Sequence, residues 1–154
     1  MNVLYLGKFF PRTLIATFTK CSKVGMSNHN FEMSLINGLC LQNDIVLKCM
    51  TVPSVYSYPY NNKRFYTRKD AYKYKSTNIH SIGFCNLPVI KEIWSTIMLI
   101  VNLIITFSQY DGDRVDIIIN TPNNGLLNAV RIAKLFTKKK ITRTVIIPDI
   151  PSVV

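Results

Sequence analysis

The stretch Val24-Gly25-Met26-Ser27-Asn28-His29-Asn30 gathers a glycine, a hydroxyl, two amides and an imidazole just ahead of an apolar repeat. Such residues at a helix start suit an anion or a hydroxyl, because free backbone N–H groups and the positive end of the helix dipole face the ligand. Gly25 would let the backbone come close, and Asn28, His29 and Asn30 would offer side-chain hydrogen bonds. Plain helix capping, with His29 exposed, accounts for the same residues. A second locus is Pro148-Asp149-Ile150-Pro151, where a carboxylate stands in a rigid turn after an apolar run. Asp149 would there accept a proton or bind a hydroxyl; an Asx-type turn is the alternative. A third is Thr121-Pro122-Asn123-Asn124, polar residues opening a helix. Asp116 reads instead as a turn neighbour at the start of its strand.

The elements that must hold these residues alternate. Val3-Leu4-Tyr5-Leu6, closed by Gly7, is a continuous apolar run, the pattern of a strand buried on both faces. A basic loop follows over residues 8 to 26. Ser27 or Asn28 as N-cap, Glu32 in the first turn, and Phe31, Leu35 and Leu39 at i, i+4 spacing predict a helix over 28–42. Gly38 within it implies close packing on the sheet. Ile45 to Met50 reads as a second strand, 52–76 as a loop, 78–84 as a third strand and 89–109 as a long helix. Asp116 to Asn120 is the fourth strand. Thr121 as N-cap and Pro122 at the first helical position then start a helix that buries Leu126, Val130 and Ala133. Ile141 to Ile147 is the fifth strand. Alternating strands and helices predict an α/β fold, a Rossmann-like parallel sheet in the order 3-2-1-4-5 with helices on both faces. Ligands of such sheets bind beyond the carboxyl ends of the strands, at the switch point between the first and fourth. The loop after Gly7, the Thr121 to Asn124 turn and the Pro148-Asp149 turn therefore share one rim.

Several chemistries are disfavoured. Gly7 is followed by Lys8-Phe9-Phe10 and not by further spaced glycines, so a dinucleotide fingerprint is missing, and there is no Walker A lysine. Cys21, Cys40, Cys49 and Cys85 show no Cys-x-x-Cys spacing, and Met1 runs at once into strand residues. Reduced thiols, no metal and a cytoplasmic location are expected. The net charge of +11 favours an anionic partner: a phospholipid surface, a nucleotide or pyrophosphate, or nucleic acid. A solvated basic surface is the plain alternative.

Residues 63–75 interleave the cations Lys63, Arg64, Arg68, Lys69, Lys73 and Lys75 with aromatic rings. The pattern suits an anionic membrane surface or a nucleic acid strand, but no nucleic-acid-binding motif accompanies it. No charge lies between Glu92 and Asp111, and Trp94, Ile97 and Val101 leave that helix little polar face. Ser95, Thr96, Asn102 and Thr106 interrupt a membrane span. A sheet helix with an extra apolar face, resting on a membrane or on another subunit, fits better; Trp94 would be its membrane contact.

Four segments in order carry a family resemblance: Asn2-Val3-Leu4-Tyr5-Leu6-Gly7, then Ser27 through Leu39, then Asp116-Ile117-Ile118-Ile119-Asn120 with its helix, and Val145-Ile146-Ile147-Pro148-Asp149-Ile150-Pro151. The chain resembles the N-terminal domain of GT-B glycosyltransferases of the retaining, family-four type. The resemblance implies two Rossmann-like domains around an active site, the N-terminal one holding the acceptor and the C-terminal one the sugar nucleotide. Residues 1–154 would then be an incomplete acceptor-side domain, truncated after its fifth strand, with the donor domain absent. The family grips its donor with a basic pair and two glutamates separated by seven residues; this chain has only Glu32 and Glu92. Pro148 stands where the family often has a histidine before the aspartate kept here as Asp149.

By this resemblance Gly25, Asn28, His29, Asn30, Thr121 and Asn123 would line the acceptor side near the donor phosphates, with Asp149 facing them. The implied activity is transfer of a sugar from a nucleotide-diphosphate donor to a glycan or lipid-linked acceptor in polysaccharide biosynthesis, without a metal. The fragment alone would be inactive, and the protein would be cytoplasmic, with a peripheral position at the inner face of the cell membrane left open. A different class of function also stands: a non-catalytic Rossmann-like module that associates with anionic membrane surfaces through the basic loop and the apolar helix.

Overall fold

The computed structural model describes residues 1–10, 23–53, 57–58, 65–66, 72–120 and 123–147. Along the chain these form β1 (Asn2–Gly7), α1 (Lys23–Cys40), β2 (Val46–Thr51), β3 (Phe65–Tyr66), β4 (Tyr72–Tyr74), β5 (Thr77–Ser81), β6 (Phe84–Cys85), α2 (Ile90–Ser108), β7 (Arg114–Asn120), α3 (Asn124–Lys134) and β8 (Lys140–Ile146). The fold is α/β, with one six-stranded, mostly parallel sheet in the order β4-β5-β2-β1-β7-β8 and a separate antiparallel pair of β3 and β6.

Val3, Leu4, Tyr5 and Leu6 are all buried because β1 runs through the middle of the sheet with helices on both sides. On one face Leu4, Leu6, Ile117 and Ile119 pack beneath α2 and α3, meeting Leu99, Leu103, Phe107 and Val130. On the other, Val3, Tyr5, Cys49 and Ile79 pack beneath α1 around Ile36. The Tyr110 hydroxyl donates to the Val3 carbonyl at 2.7 Å, fastening the end of α2 to the start of β1. Cys40, Cys49 and Cys85 are free thiols.

Several expected boundaries are corrected. An antiparallel edge strand, β4, lies within the expected 52–76 loop and pairs with β5 through a turn in which Lys75 has φ 51°. Its three residues are too few to show a strand period, and pairing exists only once β5 is in place. The expected third strand ends at Ser81; Phe84 and Cys85 belong to the small second sheet instead. Helix α1 begins at Lys23, so Ser27 and Asn28 lie inside it and cap nothing, and Glu32 sits mid-helix. At 18 residues α1 is about 27 Å long against about 20 Å for a six-residue strand. Its early turns carry no apolar repeat in the sequence.

Asp116 does not open a strand; it is the third residue of β7 and pairs with Arg114 at 3.0 Å. The cap of α3 is Asn123, whose side-chain oxygen accepts from the Leu126 N–H at 3.2 Å, and not Thr121. Thr121 and Pro122 lie outside the described residues.

Gly38 is exposed, and a Cβ there would meet nothing within 4 Å, so it does not serve close packing on the sheet. The Gly38→Ala variant should gain about 1 kcal/mol from helix propensity alone. A rise in the urea midpoint with unchanged slope is the expected readout.

Candidate functional site at the carboxyl ends of the strands

Strands β1 and β7 are neighbours, and the connections leaving them run to opposite sides of the sheet. Their carboxyl ends, Gly7 and Asn120, thus mark a switch point. Two linked features occupy it, a buried polar cluster and an open cavity.

Glu32, fully buried, is the centre of the cluster. Its helix crosses so close to Gly7 that a Cβ on that residue would fall 1.7 Å from Oε2. Both carboxylate oxygens accept from the Lys8 N–H at 3.1 Å, Oε1 from Asn28 Nδ2 at 2.8 Å and Oε2 from the Tyr5 hydroxyl at 3.3 Å. Burial pushes the Glu32 pKa above the usual carboxylate range, and the Lys8 N–H, Asn120, Tyr5 and Asn28 only partly offset it. The Asn120 carboxamide favours the charged form of Glu32 without making a hydrogen bond to it. Its Nδ2 and Oδ1 have no partner among the described residues. Tyr5 is held neutral by burial and by the Glu32 charge.

His29 is buried rather than exposed, and its Nδ1 accepts from the Phe10 N–H at 3.3 Å. Burial lowers its pKa from 6.5. The sign follows: the unfolded chain takes up the proton first as pH falls. The contribution of this bond is complete above the ordinary histidine range and is lost as pH drops through the lowered value. Glu32 acts oppositely, since a raised carboxyl pKa removes stability as pH rises. Comparing wild type with His29→Gln from about pH 7.5 to about pH 5 isolates the histidine. Wild type should lose stability relative to the variant toward the acid end.

The cavity lies between the N-terminal ends of α2 and α3 and the residues following β1 and β2. Lys8, Val52, Lys91, Glu92, Ser95, Thr96, Asn123 and Gly125 line it, and it encloses about 430 Å³ counting its open mouth. Lys8 joins both features: its N–H binds Glu32 and the residue lines the cavity. Burial lowers the Lys91 pKa, Glu92 opposes the shift and Lys8 adds to it. Lys91 Nζ also lies 5.8 Å from the centre of the Phe84 ring. Lys8 and Lys91 beside the N-terminus of α3, against the one carboxylate of Glu92, leave this recess net positive and suited to an anionic group.

The chain enters α2 through a strained turn. Val89 has φ 67° and ψ −53°, with the Ile90 N–H donating to the Pro88 carbonyl at 2.7 Å. This is the classic γ-turn, a rare and costly conformation for a β-branched residue. It sets the direction in which Lys91 and Glu92 leave the rim.

Asn28 and His29 therefore meet in the buried cluster, where each already serves a protein partner. Asn30 is exposed, and its carbonyl accepts from Ser34 Oγ. Residues 28–30 lie beyond the free N–H groups of α1, which belong to its first turn with Gly25. Asn123 lines the cavity while capping α3. Lys73 and Lys75 are exposed beside the β4–β5 turn, and Trp94 is exposed on α2. Thr121, Asp149, Lys63, Arg64, Arg68 and Lys69 lie outside the described residues. Lys8, Lys91, Thr96 and Glu32 were not expected at the site. For Lys8 a sequence signal existed, its position directly after Gly7 at the switch strand. Lys91 and Thr96 carried none.

Among the described residues no three His, Cys, Asp or Glu side chains gather to hold a metal. Comparison with protein-family models, with curated proteins and with solved structures found no match to this chain.

Proposed function

We propose that this chain is the acceptor-side domain of a retaining glycosyltransferase, a Rossmann-like half of a GT-B enzyme. Its strands β5-β2-β1-β7-β8 would be the 3-2-1-4-5 sheet of that half. The observation that carries the proposal is the electropositive cavity at the switch point, between Lys8, Lys91 and the Asn123-capped start of α3. A phosphate or sugar hydroxyl of the acceptor would sit there, beneath a donor held by a second domain. In the reaction the bond between the sugar's anomeric carbon and the donor diphosphate breaks. A bond to the acceptor oxygen forms, and the acceptor's hydroxyl proton leaves with the diphosphate. Asn123, Lys8 and Lys91 would orient the acceptor; Glu32 and His29 would hold the first loop and not react.

The test is calorimetric titration of the 154-residue chain with a short-chain prenyl phosphate sugar and, separately, with a nucleoside diphosphate sugar. Binding of the first, weak binding of the second and no transfer when both are present are expected. Turnover by the chain alone, or tight binding of the sugar nucleotide with none of the prenyl phosphate, would overturn the assignment.

A further inference from the structure

Helix α2 is apolar on the wrong side as well as the right one. Ser95, Leu99, Leu103, Thr106 and Phe107 face the sheet and are buried. At 100° per residue the opposite face carries Ile90, Ile93, Trp94, Ile97, Val101 and Ile105. These six are 40–61% exposed, and a single stripe runs the length of the 19-residue helix. A helix packed on a sheet ordinarily turns a polar face outward. Contiguous exposed apolar surface of this kind marks a contact.

We propose that α2 lies flat on an anionic lipid bilayer, its outward stripe entering the boundary between headgroups and acyl chains. Charge selects this occupant. Helices α2 and α3 with the turns that follow them, residues 90–113 and 124–139, carry Lys91, Arg131, Lys134, Lys138 and Lys139 against Glu92, Asp111 and Asp113. Arg131, Lys134 and Lys138 are exposed. Two copies brought together through the stripe would each carry +11, whereas a layer of anionic headgroups meets that charge with its opposite. Trp94, half exposed near one end, is the residue type that settles at the headgroup level. The helix is long and apolar enough to cross a membrane, but Leu99, Leu103 and Phe107 belong to the core. Crossing would tear them from the sheet, so the helix rests in the plane of the interface.

The proposal is independent of sugar transfer, and either can fail alone. Trp94 is the only tryptophan, so its emission reports on the stripe without labelling. The full chain is mixed with vesicles of phosphatidylglycerol and phosphatidylcholine, with vesicles of phosphatidylcholine alone, and with vesicles containing brominated lipid. Expected are a blue shift and co-sedimentation with the anionic vesicles, weaker binding to the zwitterionic ones, and quenching by the brominated lipid. Ile97→Glu/Val101→Glu, checked for native circular dichroism, should bind at least about tenfold more weakly. An unmoved Trp94 spectrum overturns the proposal, as does undiminished binding by the folded variant. A dimer in sedimentation that the variant dissolves, without lipid binding, assigns the stripe to a second copy instead. Should the variant not fold, quenching in the wild-type chain decides alone.

Discussion

Gly7→Ala should cost this protein about 3 kcal/mol or more. The added Cβ would lie 1.7 Å from Glu32 Oε2, 2.9 Å from its Cδ and 2.9 Å from a ring carbon of Tyr5. On the surface a glutamate would swing away cheaply. Here it is buried and receives the Lys8 N–H, Asn28 and the Tyr5 hydroxyl. Moving it strands those donors at about 1–3 kcal/mol for each buried one left unpaired, on top of about 1–3 kcal/mol for overpacking. The urea midpoint reads the loss. Gly7→Ala/Glu32→Ala supplies the control: with the carboxylate gone only the Tyr5 ring contact at 2.9 Å remains, so the double variant should lose less than the sum of the singles. Strict additivity would show that Glu32 is not what the methyl group meets.

Lys8→Ala/Lys91→Ala should weaken prenyl phosphate binding about a hundredfold, roughly tenfold for each lost charge-assisted contact. The two lysines line one cavity, and Lys8 already depresses the Lys91 pKa. An arriving anion relieves that repulsion and gains both charges. Native circular dichroism of the double variant should match wild type, so that the loss reads on binding and not on folding. The Lys8 backbone N–H and its bond to Glu32 survive the substitution. Binding should also fall with added salt in the wild type and lose most of that dependence in the variant. Equal affinity in both proteins would remove the cavity as the binding site.

How legible all this was depends on the range of the interaction. Val3 to Leu6 reads as a doubly covered strand because its apolar run needs no knowledge of its neighbours. Leu126, Val130 and Ala133 were readable as a buried stripe for the same reason, and all three are buried in α3. Glu32 shows the opposite case. Its letters place it near a helix start, where an acid is ordinary, yet the structure buries it over Gly7. The deciding partners are Tyr5, Lys8 and Asn28, and Tyr5 is 27 residues away. For His29 the sequence left a ligand-binding and an exposed capping role both open; its partner, the Phe10 N–H, comes from a loop whose path no local rule predicts. Lys91 and Thr96 join the site only because α2 and α3 start side by side.

Local pattern alone determined that this chain alternates strands and helices, that its first strand is central enough to be apolar on both faces, and that the 89–109 helix has too few polar residues for one covered side. Each follows from period and composition, which act between near neighbours. Tertiary structure decided where the polar groups go. It set the edge strand β4, the burial of Glu32 and His29, the meeting of Lys8 with Lys91, and the face of α2 left bare. These depend on which elements touch, and contact across tens of residues is fixed by packing the whole sheet at once.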